Sequence, residues 1–183
     1  MPDLLSSEAD GVLTLTFNRP ASFNAMTDEM SDGFASAMES CAGRDDVRVV
    51  VVTGAGDAFN AGADISGADA HERFDVRALD RANRMVRAVV SCPVPVVAAV
   101  NGIAAGVGCS IALAADLTVA SSSASFLLAF ARVGLMPDGG ASALVAAAVG
   151  RIRAMRMALL ADKIHADEAF QAGLVTAVHR AED

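Results

Sequence analysis

The segment Asn101-Gly-Ile-Ala-Ala-Gly-Val-Gly-Cys-Ser110 decides how this chain is expected to fold. It follows an apolar run over residues 94–100 that is typical of a buried strand, and it leads into a helix of small residues over 111–115. A strand that enters a glycine-rich turn and then a helix directs free backbone N–H groups at one point, with the positive end of the helix dipole behind them. This arrangement suits a phosphate group or an oxyanion that develops during a reaction.

A second turn of the same kind lies upstream. There, an apolar strand over residues 47–53 is followed by Gly54-Ala-Gly-Asp-Ala-Phe-Asn-Ala-Gly-Ala-Asp64. Two such turns in one domain can supply two N–H donors to a single carbonyl oxygen. The two turns together therefore predict a site that holds an enolate.

The rest of the chain alternates strands and helices. The apolar pattern predicts strands over residues 11–18, 47–53, 94–100, 117–120, 125–128 and 175–178. Helices are predicted over residues 28–43 (after Thr27 as N-cap), 76–91, 111–115, 142–149, 151–161 and 167–172. The polar stretch 65–75 is expected to be a mobile loop. This order indicates one α/β domain over residues 1–183 with parallel strand pairing.

Composition limits the partners and the location. The 183 residues are 54% hydrophobic, yet no apolar run approaches the roughly 20 residues of a membrane span. The net charge is −8, and the sequence contains no cluster of lysines and arginines. Both features argue against a nucleic acid partner. The first residues lack the pattern of a signal peptide. Cys41, Cys92 and Cys109 show no metal-ligand spacing. A cytoplasmic protein without a metal site or a membrane partner is expected.

Four blocks of this sequence resemble the crotonase (enoyl-CoA hydratase/isomerase) superfamily, in the family's order and spacing. They are Thr14-Leu-Thr-Phe-Asn-Arg-Pro-Ala-Ser-Phe-Asn-Ala-Met26, Val49-Val-Val-Val-Thr-Gly-Ala-Gly-Asp-Ala-Phe-Asn-Ala-Gly-Ala-Asp-Ile65, Pro95-Val-Val-Ala-Ala-Val-Asn-Gly102 and Val133-Gly-Leu-Met-Pro-Asp-Gly-Gly140. The resemblance covers nearly the whole chain. Because four blocks agree, it is far more specific than any one glycine turn.

The resemblance implies a ββα spiral fold and an acyl-CoA ligand. It places the two oxyanion donors at the backbone N–H groups of Ala63 and Val107, with Gly106 forming the turn before the second donor. It also implies that backbone groups line the adenine and pantetheine path of the ligand at Ser22, Phe23, Ala25, Ala61, Ala63, Asp64 and Ile65. Coenzyme A enters as part of the substrate, so no separate cofactor is expected.

Family members usually continue through further C-terminal helices that cover the acyl site and build a trimer. In this chain that helical region is largely absent, because the sequence stops at Asp183 just after the last predicted strand. A fragment, or a chain with a disordered tail, is therefore expected. The resemblance further implies a homo-oligomer, either a trimer or a dimer of trimers.

The positions that carry the family's acids distinguish between its reactions. Hydratases use two glutamates that hold a water between them, and the matching positions here are Ser110 and Phe130. Several family isomerases place a single acid where this chain has Asp138, and residues 126–140 look most like epoxyphenylacetyl-CoA and Δ3,Δ2-enoyl-CoA isomerases. One carboxylate suffices for a 1,3-proton shift. Asp138 also suits an N-cap for the helix near Ser142, or a turn residue.

The function predicted from the sequence is an acyl-CoA isomerase that works through a thioester enolate. Two alternatives stay open: a hydratase with an unconventional base, for which Asp69 and Glu72 are candidates, and a CoA-thioester-binding protein without catalysis. A dinucleotide-binding site is disfavoured, because the third glycine of that fingerprint is missing in both turns. Arg19 is either a phosphate-binding residue or part of a surface salt bridge, and Asp64 is expected to be structural.

Overall fold

A computed structural model of the protein describes residues 1–66 and 75–180. The ten strands of this part are β1 (Leu4–Ala9), β2 (Val12–Phe17), β3 (Val49–Gly54), β4 (Ala58–Asn60), β5 (Val96–Val100), β6 (Ile103–Ala105), β7 (Leu117–Ser121), β8 (Ser125–Leu127), β9 (Ile164–His165) and β10 (Ala177–His179). The helices are α1 (Asp28–Glu39), α2 (Val76–Val90), α3 (Val107–Ala114), α4 (Ala141–Leu160) and α5 (Ala166–Gln171). Two short 3₁₀ helices cover Pro20–Ser22 and Ala129–Val133.

The strands form two sheets. The larger has six strands in the order β1-β2-β3-β5-β7-β10, and every pair in it is parallel except β1 with β2. The smaller has four strands in the order β4-β6-β8-β9, in which β9 is antiparallel to β8. Both central strands of the smaller sheet follow a strand of the larger one after a turn of a few residues. The predicted mixed α/β architecture with parallel pairing is confirmed.

The core lies where the helices pack against the larger sheet. Alternate residues of β2 are buried, and Phe17 contacts both Phe34 of α1 and Phe59 of β4, with ring centroids 5.3 and 5.6 Å apart. Met85 of α2 and Ile111 of α3 belong to the same buried cluster. Because this cluster joins both sheets to all five helices of the described part, it fixes the turns between the sheets in place.

The helix ends follow the sequence signals. The Thr27 hydroxyl accepts the N–H of Met30 and caps α1 as predicted. Asp75 caps α2 by accepting the N–H groups of Arg77 and Ala78. Gly150, with φ 76° and ψ 162°, interrupts α4 at the boundary between the two helices predicted there. No helix in the described part of the chain is long and apolar enough to cross a membrane.

Several short elements differ from the predictions. The edge strand β1 and the strands β4, β6 and β9 were not predicted, since the last three have two or three residues each and exist through pairing with distant strands. Helix α3 begins at Val107 instead of 111, and α1 ends at Glu39 instead of 43. Most of the predicted mobile loop, including Asp69 and Glu72, lies outside the described residues.

Candidate active site

The two glycine-rich turns meet at one point of the structure. Gly62 and Gly106 both have positive φ angles, 92° and 53°. A Cβ atom added to Gly106 would lie 3.6 Å from the Gly62 Cα, and one added to Gly62 would lie 2.9 Å from the carbonyl oxygen of Ala105. The backbones of the two turns therefore approach each other closely. Glycine is needed at position 62 for both the φ angle and the close approach, and at position 106 for the φ angle.

The residue after each of these glycines presents a free N–H group. Ala63 pairs with Met26 in an isolated parallel bridge, and the bridge uses the Met26 N–H and the Asp64 N–H, at 2.8 and 3.0 Å from their acceptors. Val107 is the first residue of α3, where the N–H groups have no partner inside the helix. Neither N–H has an acceptor among the residues that the structure describes. The two predicted oxyanion donors are brought together.

Three asparagines hold these turns, a feature that the sequence analysis did not identify. The buried Asn24 amide donates to the carbonyls of Ala55 and Ala58, at 2.9 and 2.7 Å. Asn60 accepts the Gly62 N–H at 2.9 Å and donates to the Asn24 carbonyl at 2.6 Å. Asn101 bridges the turn after β3 in the same way. In the sequence, Asn60 lies two residues before Gly62 and Asn101 directly precedes Gly102, while no nearby glycine or strand end marks Asn24.

A cavity of about 590 Å³ opens beside the two donors. Its wall is built from the two turns, one face of α2 and the segment from Ala129 to Asp138. The lining side chains are mostly apolar and include Met26, Leu79, Met85, Phe130, Val133 and Met136. The charged side chains among the described lining residues are Asp28, Asp75, Arg81 and Asp138. Since Arg81 is paired with Asp28 at 3.0 Å, the cavity suits an uncharged group.

Asp138 lines this cavity, and its carboxyl group is largely buried. Its Oδ1 atom is buried and has no hydrogen-bond partner within the described residues. Burial raises the pKa of Asp138 to about 6, because the charged form loses its hydration. A carboxylate in this state is a stronger base than an ordinary aspartate and is still largely ionised at pH 7.

The Asp138 side chain does not cap α4. The N-cap residue of that helix is Gly140, and no side chain bonds to the helix end. It is the carbonyl oxygen of Asp138 that accepts the Ala141 N–H, at 3.0 Å. The capping alternative for this carboxylate is therefore wrong, because the backbone performs that role and Oδ1 has no hydrogen-bond partner within the described residues.

The two positions that hold glutamates in hydratases are both buried. Ser110 lies inside α3 with no exposed surface, and its hydroxyl is 3.2 Å from the carbonyl oxygen of Asp138. Phe130 forms part of the cavity wall. Neither side chain carries a carboxylate, and the Ser110 hydroxyl contacts the backbone of Asp138, which lines the cavity.

The residues predicted to line the ligand path divide into two groups. Ala61, Ala63, Ile65 and Gly106 line the cavity. The other four predicted residues are not among those that line the cavity, and they are Ser22, Phe23, Ala25 and Asp64. Phe23 is 60% exposed at the end of a 3₁₀ helix, with a left-handed φ of 50°.

Arg19 and Asp64 form a structural pair. The Arg19 guanidinium donates to the Asp64 carboxylate at 2.9 Å and to the Ala25 carbonyl at 2.6 Å. Hydrogen bonds from Ser66, together with Arg19, lower the pKa of Asp64 to about 2. The salt-bridge alternative for Arg19 is what the structure shows. Within the described residues, no three His, Cys, Asp or Glu side chains lie close enough to hold a metal ion.

Comparison with known proteins agrees with this geometry. Residues 7–183 match the enoyl-CoA hydratase/isomerase family. The chain belongs to this family. The resemblance to the crotonase superfamily drawn from the four sequence blocks is confirmed. The fold is confirmed as well: an enoyl-CoA hydratase structure from Mycobacterium avium subsp. paratuberculosis superposes with a TM-score of 0.92 at 51% identity, covering 99% of this chain and 70% of that one.

Relatives of this family member carry names for two reactions. A probable enoyl-CoA hydratase of Rhodobacter capsulatus is 42% identical over 169 residues, covering 91% of this chain and 65% of the relative. The 1,2-epoxyphenylacetyl-CoA isomerase of Escherichia coli is 37% identical over 180 residues, covering 96% of this chain and 69% of the relative. This chain thus spans about two thirds of the length of the curated relatives it matches.

Proposed function

We propose that this family member is an acyl-CoA isomerase that shifts a double bond, or opens a ring, through a thioester enolate. The observation that carries the proposal is the buried carboxylate of Asp138, whose Oδ1 has no hydrogen-bond partner within the described residues, on the cavity that also holds the N–H groups of Ala63 and Val107. An isomerase needs one base and one oxyanion site. These three residues supply both.

The proposed chemistry is a proton transfer within one substrate. The Asp138 carboxylate takes a proton from C2 of a 3-enoyl thioester, and the electron pair moves onto the thioester oxygen. The N–H groups of Ala63 and Val107 hold that enolate oxygen. The protonated Asp138 then returns the proton at C4, which leaves the double bond between C2 and C3. The raised pKa of Asp138 suits a group that both accepts and returns a proton.

Water addition is disfavoured by the same residues. Family hydratases need two carboxylates to orient and deprotonate a water, and this chain has Ser110 and Phe130 at those positions. A buried hydroxyl and a phenyl ring do not replace them. The name of the Rhodobacter relative favours a hydratase all the same, so crotonyl-CoA is included in the test below.

We further propose that coenzyme A binds along the backbone path from Ser22 to Ile65 and that the acyl group fills the apolar cavity. No added cofactor takes part. A homo-oligomer, either a trimer or a dimer of trimers, is supported by exposed apolar side chains on α4 and α5, namely Ile152, Leu159, Leu160 and Phe170. We also propose a cytoplasmic location, because free cysteines such as Cys41, Cys92 and Cys109 are typical of that reducing compartment.

The test is to incubate the protein with 3-enoyl-CoA, crotonyl-CoA and epoxyphenylacetyl-CoA and to identify the products by mass and NMR. We expect a product isomeric with the substrate from the 3-enoyl or the epoxide substrate. Addition of 18 mass units to crotonyl-CoA, at an enzyme-like rate of about 10 per second, would show a hydratase instead. Tight binding with no product from any substrate would show a binding protein without catalysis.

A further inference from the structure

Ser110 contacts the backbone at two points of the candidate site. Its side chain is fully buried at the start of α3, and its hydroxyl lies 3.2 Å from the Asp138 carbonyl oxygen and 3.4 Å from the Gly106 carbonyl oxygen. Both oxygens are acceptors, so the one hydroxyl proton is donated to either of them. Gly106 immediately precedes the oxyanion donor Val107, and Asp138 is the proposed base.

The Asp138 carboxyl group is held through its backbone. Its Oδ1 atom finds no partner within the described residues, so side-chain hydrogen bonds at that oxygen do not orient it. Ser110 contacts the turn directly, because a Cβ on the next residue, Gly139, would lie 3.1 Å from the Ser110 Cβ. The hydroxyl and this packing together attach the turn that carries the base to the helix that begins at the oxyanion donor.

We propose that Ser110 is a positioning residue: its hydroxyl fixes the distance between the Asp138 carboxylate and the oxyanion donor at Val107. This inference rests on the isomerase function proposed above. In hydratases of the family this position holds a catalytic glutamate. In this chain the buried hydroxyl at the same position would instead set the place of the carboxylate on the neighbouring turn. Ser110 is not among the residues that line the cavity, so the proposed effect acts through Asp138.

The test compares three variants. Ser110→Ala removes the hydroxyl, Ser110→Cys keeps the volume but leaves only a weak S–H donor, and Thr118→Val is the matched control. Thr118 is also buried and donates to a backbone carbonyl of α3, that of Ala112 at 2.7 Å, but it does not line the cavity. Loss of either hydroxyl has a similar cost in stability, so Thr118→Val reports what destabilisation alone does to the rate.

In both Ser110 variants we expect kcat to fall about 10- to 100-fold with KM within twofold, since small displacements of a catalytic group cost rates of this size. Thr118→Val should keep kcat within twofold. The apparent pKa that describes the loss of kcat at low pH should be lower in Ser110→Ala than in the wild type. The reason is that a less restrained Asp138 carboxylate reaches water, which stabilises its charged form. The other charged groups on the cavity, Asp28, Asp75 and Arg81, are unchanged in all three variants.

A second readout does not depend on turnover. A ¹³C NMR titration of the Asp138 carboxyl group should show its pKa lower in Ser110→Ala than in the wild type and unchanged in Thr118→Val. If the wild type has no isomerase activity but this shift appears, the isomerase function is wrong and the positioning stands. Unchanged kcat and unchanged Asp138 titration in Ser110→Ala would overturn the inference, as would equal effects in Thr118→Val.

Discussion

Asp64 and Asp138 are two aspartates of the candidate site whose surroundings shift their pKa values in opposite directions. Asp64 follows the first glycine turn, where its carboxylate accepts the Ser66 N–H and hydroxyl at 3.0 and 2.6 Å and pairs with Arg19. These contacts lower its pKa to about 2. Asp138 lines the cavity, where its Oδ1 has no partner within the described residues. Burial there raises the pKa of Asp138 to about 6.

The same residue type therefore has two different environments within the candidate site. The lone pairs of Asp64 are already used, so it stabilises the turn that presents the Ala63 N–H. Asp138 keeps an unused oxygen and a raised proton affinity, which are the properties of a general base. The following four predictions test this contrast, beginning with the largest expected effect.

Asp138→Asn keeps the shape of the side chain and removes the base. We expect turnover of a 3-enoyl-CoA to fall about 10²–10⁴-fold, while substrate binding is retained. The Tm at pH 7 should not fall, because the side chain caps nothing and the ionised form is the one that burial penalises. Product formation and thermal unfolding measure the two effects. Full activity in Asp138→Asn would show that another residue is the base.

Gly106→Val changes the turn that presents the second donor. Valine at φ 53° is strained, so the Val107 N–H should move away from the enolate oxygen. We expect kcat to fall about 10²–10³-fold, the usual cost of one oxyanion donor, and affinity for a CoA thioester to weaken. The exposed Lys163→Ala is the control and should bind normally. Unchanged affinity by calorimetry in Gly106→Val would count heavily against this site.

The pH dependence should follow Asp138 and not Asp64. The active form of the base is the carboxylate, which becomes protonated as the pH falls below about 6. We therefore expect kcat/KM to be level above pH 7 and to fall tenfold per pH unit below 6. Asp64 stays ionised down to about pH 2 and cannot produce this limb. A rate that stays constant between pH 7 and pH 5 in folded protein would remove Asp138 as the base.

Asp64→Asn should act on stability. Its pKa is lowered, so the stabilisation by its charge is present above the ordinary range near 3.8 and is lost as the pH falls toward 2. At pH 7 the loss of a charged hydrogen-bonded group costs about 1.5–3 kcal/mol, and each kcal/mol lowers the Tm by about 2–4 °C in a chain of this size. Asp46→Asn, at the exposed pair with Arg44, is the matched control and should change the Tm far less. Equal Tm changes in the two variants would contradict the structural role of Asp64.

Much of the fold could be predicted from local patterns. The apolar runs that became β3 and β5, the Thr27 cap of α1 and the break at Gly150 each depend on neighbours in the chain. The short strands β4, β6 and β9 could not be predicted in this way. They consist of two or three residues whose hydrogen bonds go to strands tens of residues away, so no local period marks them.

Some features of the candidate site could likewise be predicted from local sequence, and others could not. The family, the two glycine turns and the candidate acid Asp138 could all be predicted from the sequence, because these predictions depend on residue type and spacing along the chain. The folded structure was needed to show that the turns approach each other, that Oδ1 of Asp138 has no partner within the described residues, and that the Ser110 hydroxyl lies 3.2 Å from the Asp138 carbonyl oxygen. Burial, pKa and hydrogen-bond partners are set by groups that are distant in the chain and meet only when it is folded.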